Sequence, residues 1–279
     1  MDMYAGWPRK TREYQIFCID STYWNDFKFR DDDIIIATWA KSGTTWVQQM
    51  VAQFIFDGQT DGLPIGDMSQ WVDFRLPPWE VKKPMIEAQE HRRFLKTHLP
   101  VDALVFSPNV KYIYIARDGR DCVWSMYNHH VNLNNVLYDG LNALPEKFGP
   151  MIEPPRTDDL REYFNDWLRD DGFPFWPFWE NIRTWWEIRH LPNIHFIHYQ
   201  SLKNDMEREI QKIGEFLGYD VGGMTKGKWE ELVYHCTFDY MKNNATASTP
   251  LGGALWDGGA QVFVNKGTNK RWTETLTAE

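Results

Sequence analysis

Cysteine is scarce in this 279-residue chain. Cys18, Cys122 and Cys236 lie far apart and form neither a CxxC pair nor a Cys/His ligand spacing. That excludes a disulfide framework and a zinc site as organising features. Long apolar runs are missing too: nothing approaches the ~18 residues of a membrane span, and the Met-Asp-Met-Tyr start has no basic segment followed by an apolar one. The chain therefore reads as a soluble, reduced, cytoplasmic protein. Positive charge is in deficit, with 30 Lys and Arg against 39 Asp and Glu and a net charge of −9. This balance argues against a nucleic-acid-binding surface, so any phosphate has to be caught by a local cluster of cations and amides. No repeat, low-complexity tract or linker divides the chain, and it is read as one domain over 1–279.

What is abundant is aromatic. Fifteen Trp, twelve Tyr and seventeen Phe exceed what a core of this size needs and suit an apolar small-molecule pocket. With 43% hydrophobic and 25% charged residues, a packed core is feasible and global disorder is excluded.

Three stretches share one pattern. Asp31-Asp32-Asp33 precedes the β-branched run Ile34-Ile35-Ile36, and Ala37 to Gly43 breaks it. From Thr44 onward Trp46, Val47, Met50, Val51, Phe54 and Ile55 fall on one helix face that ends near Gly58. The second stretch is Tyr112 to Ala116, then Arg117-Asp118-Gly119 and a helical pattern through Cys122, Val123 and Met126. The third is Ile194 to Tyr199, then Ser201 and a helix with Met206, Ile210, Ile213 and Leu217, capped by Gly218. Strands alternating with helices predict an α/β fold, a mainly parallel central sheet flanked by helices. Phe94 to Thr97 is a further short strand. Residues 134 to 185 read as long loops and short helices over a pocket, and the Asn-, Thr-, Ser- and Gly-rich tail 242–259 as a surface loop, with a mobile ligand-ordered loop as the functional alternative.

Lys41-Ser42-Gly43-Thr44-Thr45-Trp46 sits where a strand ends and a helix begins. Unpaired N–H groups and the helix dipole make such a junction an anion site. Gly43 lets the backbone approach a ligand, Ser42, Thr44 and Thr45 add hydroxyl donors, and Lys41 adds charge. A P-loop kinase or NTPase is the competing reading, but its GxxxxGK[ST] order places lysine after the second glycine. Here lysine precedes the glycine, and the second strand ends in Arg117 where an NTPase would place a magnesium-binding aspartate.

At these residues the chain resembles the cytosolic sulfotransferases. Thr38 to Trp46 is similar to their phosphosulfate loop TYPKSGTTW, with Trp39-Ala40 in place of Tyr-Pro. Lys96-Thr97-His98-Leu99-Pro100 matches their KTHLP. Arg117, with Ser125 eight residues on, matches the pair that holds a 3′-phosphate. Tyr199 and Phe238 stand where the family places rings near adenine, and Phe263 to Thr268 with Trp272 resembles the terminal RKGxxGDW segment. Three departures stand out: Asn265 replaces the terminal arginine, Cys236 a threonine, and Lys270-Arg271 a Gly-Asp pair. Lys270 and Arg271 are the candidates to fill the place of that arginine.

The resemblance implies transfer of a sulfuryl group from 3′-phosphoadenosine 5′-phosphosulfate (PAPS), leaving 3′,5′-bisphosphoadenosine (PAP), with no metal. On that basis Lys41 meets the bridging oxygen of the leaving phosphate, Lys96 steadies the sulfuryl oxygens and His98 takes the acceptor proton. The donor would be bound by Lys41, Ser42, Gly43, Thr44, Thr45, Trp46, Arg117, Ser125, Tyr199, Phe238, Lys266 and Gly267, with Trp46, Tyr199 and Phe238 around the adenine. His129, His130, His195 and His198 carry no such context and are read as structural. Phe74, Trp79, Tyr138, Phe175, Trp176 and Phe178 are the expected acceptor wall, favouring a small apolar alcohol or phenol, with an amine as a further option. A non-catalytic nucleotide-binding relative is the third reading. The family's dimerisation segment would begin near Thr273, and the oligomeric state stays open.

Overall fold

The computed structural model describes residues 6–276. Met1 to Tyr4, read above for a targeting signal, and the last three residues lie outside them. Four strands form the sheet: β1 (Ile34–Ala37), β2 (Phe94–Thr97), β3 (Lys111–Ala116) and β4 (Ile194–His198). Their order is β2-β1-β3-β4 and every pairing is parallel. In register, Ala37 sits beside Thr97 on one side and Tyr114 on the other.

The strands are apolar on both faces, as a parallel sheet covered on both sides requires. Period-two alternation sorts their side chains. Ile34, Ile36, Ile113 and Ile115 face one core with Val47, Met50, Val51 and Phe54 of α1 (Thr44–Ile55). Ile35, Ala37, Tyr112 and Tyr114 face the other, which contains Trp39, Trp167, Phe178 and Trp185. Each buried isoleucine contributes ~1.5–3 kcal/mol relative to exposure. The aromatic excess is therefore spent partly on this second core.

The helix after β3 spans Gly119–Val131 and is capped by the Asp118 carboxylate, which accepts from the Arg120 amide. After β4, the third pattern splits into two helices, Tyr199–Asn204 and Met206–Leu217, because Asp205 intervenes as the cap of the second. Gly218 closes that helix with φ of 91°. Residues 134–185 do form loops and short helices, including Asn135–Asn142, Leu160–Arg169 and Phe178–Glu187.

The tail 242–259 departs from the expected surface loop. It folds into short helical turns, with Ala245, Ser248 and Thr249 buried. Gly66, outside the tail, allows this: a Cβ there would come within 2.7 Å of the Thr249 backbone, so the two segments pack main chain to main chain. The Leu251 amide also donates to Asp67 Oδ1 at 2.7 Å.

Among the described residues no helix is long and apolar enough to cross a membrane. The three cysteines are free and buried.

Candidate functional site

The chain order places β2 on one side of β1 and β3 on the other, so the loops after β1 and β3 diverge. In open α/β sheets the crevice outside the strand carboxyl ends at such a switch point is the binding location. All four strands deliver residues there: the 38–43 loop from β1, Lys96 and His98 from β2, Arg117 from β3 and Tyr199 from β4. They open on one cavity of about 770 Å³.

The loop after β1 is shaped by its own residues. Lys41 has φ of 65° and Gly43 φ of 121°, so the chain turns sharply into α1, whose first residues Thr44 and Thr45 line the cavity. A side chain at position 43 would meet Ile115 Cδ1 at 2.7 Å and Tyr199 Cδ2 at 2.9 Å. Only glycine fits there. The left-handed conformation at Lys41 costs about 1–3 kcal/mol, and the Arg117 guanidinium supports it by donating from Nη1 to the Lys41 carbonyl oxygen at 3.1 Å.

Arg117 also donates to Asn269 Oδ1 at 3.0 Å and to the Thr268 carbonyl at 2.9 Å, tying the β3 edge to the C-terminal segment. Its guanidinium lies 4.2 Å from the Tyr199 ring centre. Trp46 meets Tyr199 edge-on at 5.3 Å and donates its indole N–H to the Cys236 carbonyl at 2.7 Å. Phe238 packs against Gly267, where a Cβ would come within 2.5 Å of the ring. Thr44, Thr45, Ser125, Lys266 and Gly267 line the same end of the cavity. Ser42 does not: it is buried, with its hydroxyl 3.3 Å from Cys122 Sγ. The expectation that Ser42 presents a hydroxyl to the ligand is corrected on this point, because the tight turn at Gly43 sends its side chain inward.

Asn265 is accompanied by a cation. Arg271 donates from Nη1 to Asn265 Oδ1 at 3.4 Å, lies 3.4 Å from the Trp124 ring centre and lines the cavity. Burial and the nearby Arg117 both lower its pKa. Lys270 spends its amide on Asp121 Oδ1 at 2.7 Å and does not line the cavity.

Toward the other end stand Lys96 and His98. His98 is buried, and its Nδ1 lies 2.7 Å from the Thr38 carbonyl oxygen. A carbonyl only accepts, so Nδ1 carries the proton and Nε2 keeps a free lone pair. The ring is clamped by Trp71, edge-on at 4.7 Å, and by Trp176, stacked at 5.4 Å. Burial is the largest cause pushing the His98 pKa down to about 3, opposed by the Thr38 bond and aided by Lys96 and Lys41. Burial likewise brings Lys41 to about 7, with Arg117 and Lys96 adding to the shift, and Lys96 to about 8 against Asp67 and Asp73. Lys41, Lys96 and Arg117 thus crowd one poorly solvated pocket, with Asp67 and Asp121 the carboxylates that also line it.

Of the expected acceptor wall, Phe74, Phe175 and Trp176 line the cavity. The other three do not. Phe178 is fully buried, edge-on to Trp39 at 5.2 Å and to Trp167 at 4.9 Å. Tyr138 is buried in the core, and Trp79 stacks on Tyr23 at 5.1 Å. All three come from segments where sequence gives composition but no phase, so which ring turned inward was not readable.

Two residues escaped the sequence reading. Trp71 comes from a segment with no motif, and it is placed by a bridge to Lys96 in β2. His129, read as structural, lines the cavity next to Lys41. The Trp39 departure also gains a role, because its indole donates to the Trp176 carbonyl at 2.9 Å and so couples the loop after β1 to the ring stacked on His98.

Fold and site together define an α/β protein that gathers cations at a sheet switch point beside an apolar chamber. The sulfotransferase-domain family profile matches residues 31–279, and the chain belongs to the sulfotransferase family. It is 30% identical to a glycolipid sulfotransferase of Mycobacterium bovis, over 95% of this chain and 86% of that protein. The fold is similar to that of a mouse sulfotransferase complexed with PAP, with a TM-score of 0.67 at 22% identity over 91% of this chain and 81% of that one. It is also similar to that of retinol dehydratase in complex with androsterone and PAP, with a TM-score of 0.70 at 22% identity over 92% and 79% of the two chains. Family membership sets aside the kinase and NTPase reading.

Proposed function

We propose that this sulfotransferase, acting as a single cytoplasmic domain, transfers a sulfuryl group from PAPS to a hydroxyl of a small, largely apolar acceptor. The observation that carries the reading is the convergence of Lys41, Lys96 and the Nε2 lone pair of His98 on one cavity. The donor set fits the nucleotide: amides and hydroxyls at the start of α1 for the 5′-phosphate, Arg117, Ser125 and Arg271 for the 3′-phosphate, and Trp46, Tyr199 and Phe238 for the adenine. When bound, PAPS supplies a sulfuryl group whose transfer leaves an anionic phosphate oxygen.

In this mechanism His98 Nε2 takes the acceptor proton while the acceptor oxygen bonds to sulfur and the bond from sulfur to the bridging oxygen breaks. Lys41 stabilises the charge that grows on that bridging oxygen, an interaction worth most in the transition state. Lys96 would steady the sulfuryl oxygens. These cations supply the neutralisation a metal would otherwise give. The apolar chamber of Phe74, Trp71, Phe175 and Trp176 favours an aromatic or aliphatic alcohol and excludes water from the transfer.

The test is incubation with PAPS and a mixed library of phenols and alkyl alcohols, with and without EDTA, followed by mass spectrometry. Sulfated products in both arms are expected. Tight PAP binding with no turnover of any acceptor would favour the non-catalytic reading.

A further inference from the structure

His129 stands in the same cavity as His98 but is wired the opposite way. Its Nδ1 lies 3.1 Å from the indole nitrogen of Trp256 and 3.4 Å from Lys41 Nζ. An indole N–H can only donate, so Nδ1 is the acceptor. The neutral ring therefore carries its proton on Nε2, which has no hydrogen-bond partner among the described residues. The ring is held in place by Trp256 at 5.3 Å and Phe263 at 6.0 Å, and these two rings contact each other at 4.6 Å. Burial and the neighbouring Lys41 keep the imidazole neutral by pushing its pKa well below the usual value.

The cavity thus presents two neutral imidazoles of opposite tautomer. His98 offers a lone pair and His129 offers an N–H. Beside Lys41, the cavity that His129 lines also carries apolar residues, among them Leu133, Leu137 and Leu255. A lone N–H donor in such surroundings loses its water when a hydrocarbon fills the space, and an unmet donor is costly. A second oxygen on the acceptor removes that cost.

Resting on the transferase reading above, we propose that His129 is a specificity-determining residue whose Nε2–H donates to a second oxygen of the acceptor. Preferred acceptors then carry an ether, carbonyl or hydroxyl oxygen besides the hydroxyl that receives the sulfuryl group. Trp256 acts as a positioning residue, because its indole N–H fixes the tautomer that makes the donor.

The experiment uses matched pairs of phenols and alcohols that differ by one ether, ketone or hydroxyl oxygen against a hydrocarbon isostere of equal size. Two readings are taken for each pair: kcat/KM with PAPS, and affinity for the complex with PAP by tryptophan fluorescence. His129→Phe keeps the ring volume but removes both nitrogens, and Trp256→Phe leaves His129 in place but frees its tautomer. The preference of the wild-type protein for the oxygenated member is expected to fall about three- to tenfold in His129→Phe, the range of one neutral hydrogen bond. In Trp256→Phe a smaller fall is expected. Comparing ratios within a pair cancels any loss through Lys41, which touches His129 and acts on every acceptor alike. A pair ratio that stays at the wild-type value in both variants, even if total turnover drops, overturns the proposal. Absent turnover in the wild type fails the transferase reading instead, and the affinity ratios still decide the role of His129.

Discussion

His98 Nδ1 donates to the carbonyl oxygen of Thr38 across 2.7 Å, so the residue that opens the loop after β1 fixes the tautomer of the imidazole delivered by β2. Thr38 is itself pinned, because its hydroxyl donates to the Ile115 carbonyl of β3 at 2.7 Å. Three parallel strands thereby hold one proton acceptor in a defined direction.

His98→Ala should lower kcat by about two to four powers of ten, the usual contribution of a positioned base, while PAP affinity changes little. Lys41→Ala should also lower kcat if, as proposed, its charge acts on the leaving oxygen. Steady-state kinetics with a phenolic acceptor check both. A Lys41→Ala variant that changes only the donor KM would show that Lys41 binds ground and transition states alike.

The depressed lysines give the donor site a pH dependence of definite sign. In the empty protein Lys41 titrates near 7 and Lys96 near 8, and an incoming polyanion raises both. Binding of PAP at pH 8 should therefore take up protons, and affinity should fall as pH rises through 7 to 9. Calorimetry in buffers of different ionisation enthalpy measures the uptake directly. For the ligand-free protein, the unfolded chain binds more protons than the native state between the depressed folded pKa and the ordinary value of 10.5. The Lys41 contribution to stability therefore rises with pH over that window. Lys41→Met should flatten that rise in thermal melts.

Arg271 should replace the arginine missing at position 265. Removing a charge-assisted bond to phosphate weakens binding by about 1.5–3 kcal/mol. Arg271→Ala should accordingly reduce the preference for PAP over adenosine 5′-monophosphate by that amount, and Arg117→Ala should reduce the preference too while weakening both nucleotides alike through the lost bond to the Lys41 carbonyl. Lys270→Ala should leave the preference intact. Calorimetric titration of both nucleotides resolves the three cases, and a normal preference in Arg271→Ala would return the vacancy to another group.

Gly43→Ala should be destabilising by about 1–3 kcal/mol, the usual cost of forcing an extra methyl into a packed site. The new Cβ meets Ile115 and Tyr199, and the positive φ adds strain. Because Tyr199 also lines the donor end, nucleotide affinity should drop together with the urea midpoint. A variant with unchanged midpoint and affinity would mean that the loop relaxes freely.

The strands, α1 and the tight loop between β1 and α1 were legible in the sequence because each rests on local physics: β-branched runs, a helical apolar face and a glycine before a Ser/Thr-rich helix start. Lys41 stood out because it sits at a strand end before a glycine, whereas Lys96, His98 and Arg117 were singled out by resemblance to the family's motifs, and the structure places all four on one cavity. The sheet order, and so the switch point, depends on which strands pair, which no local window contains. The irregular segments were decided only by packing. Phe178 and Tyr138 went into the core, while Trp71, against Trp176 and His98, and His129, against Trp256 and Phe263, turned to the cavity. The same physics folded the small-residue tail onto Gly66: a sequence with few large side chains reads as loose until a partner backbone is close enough to pack against it.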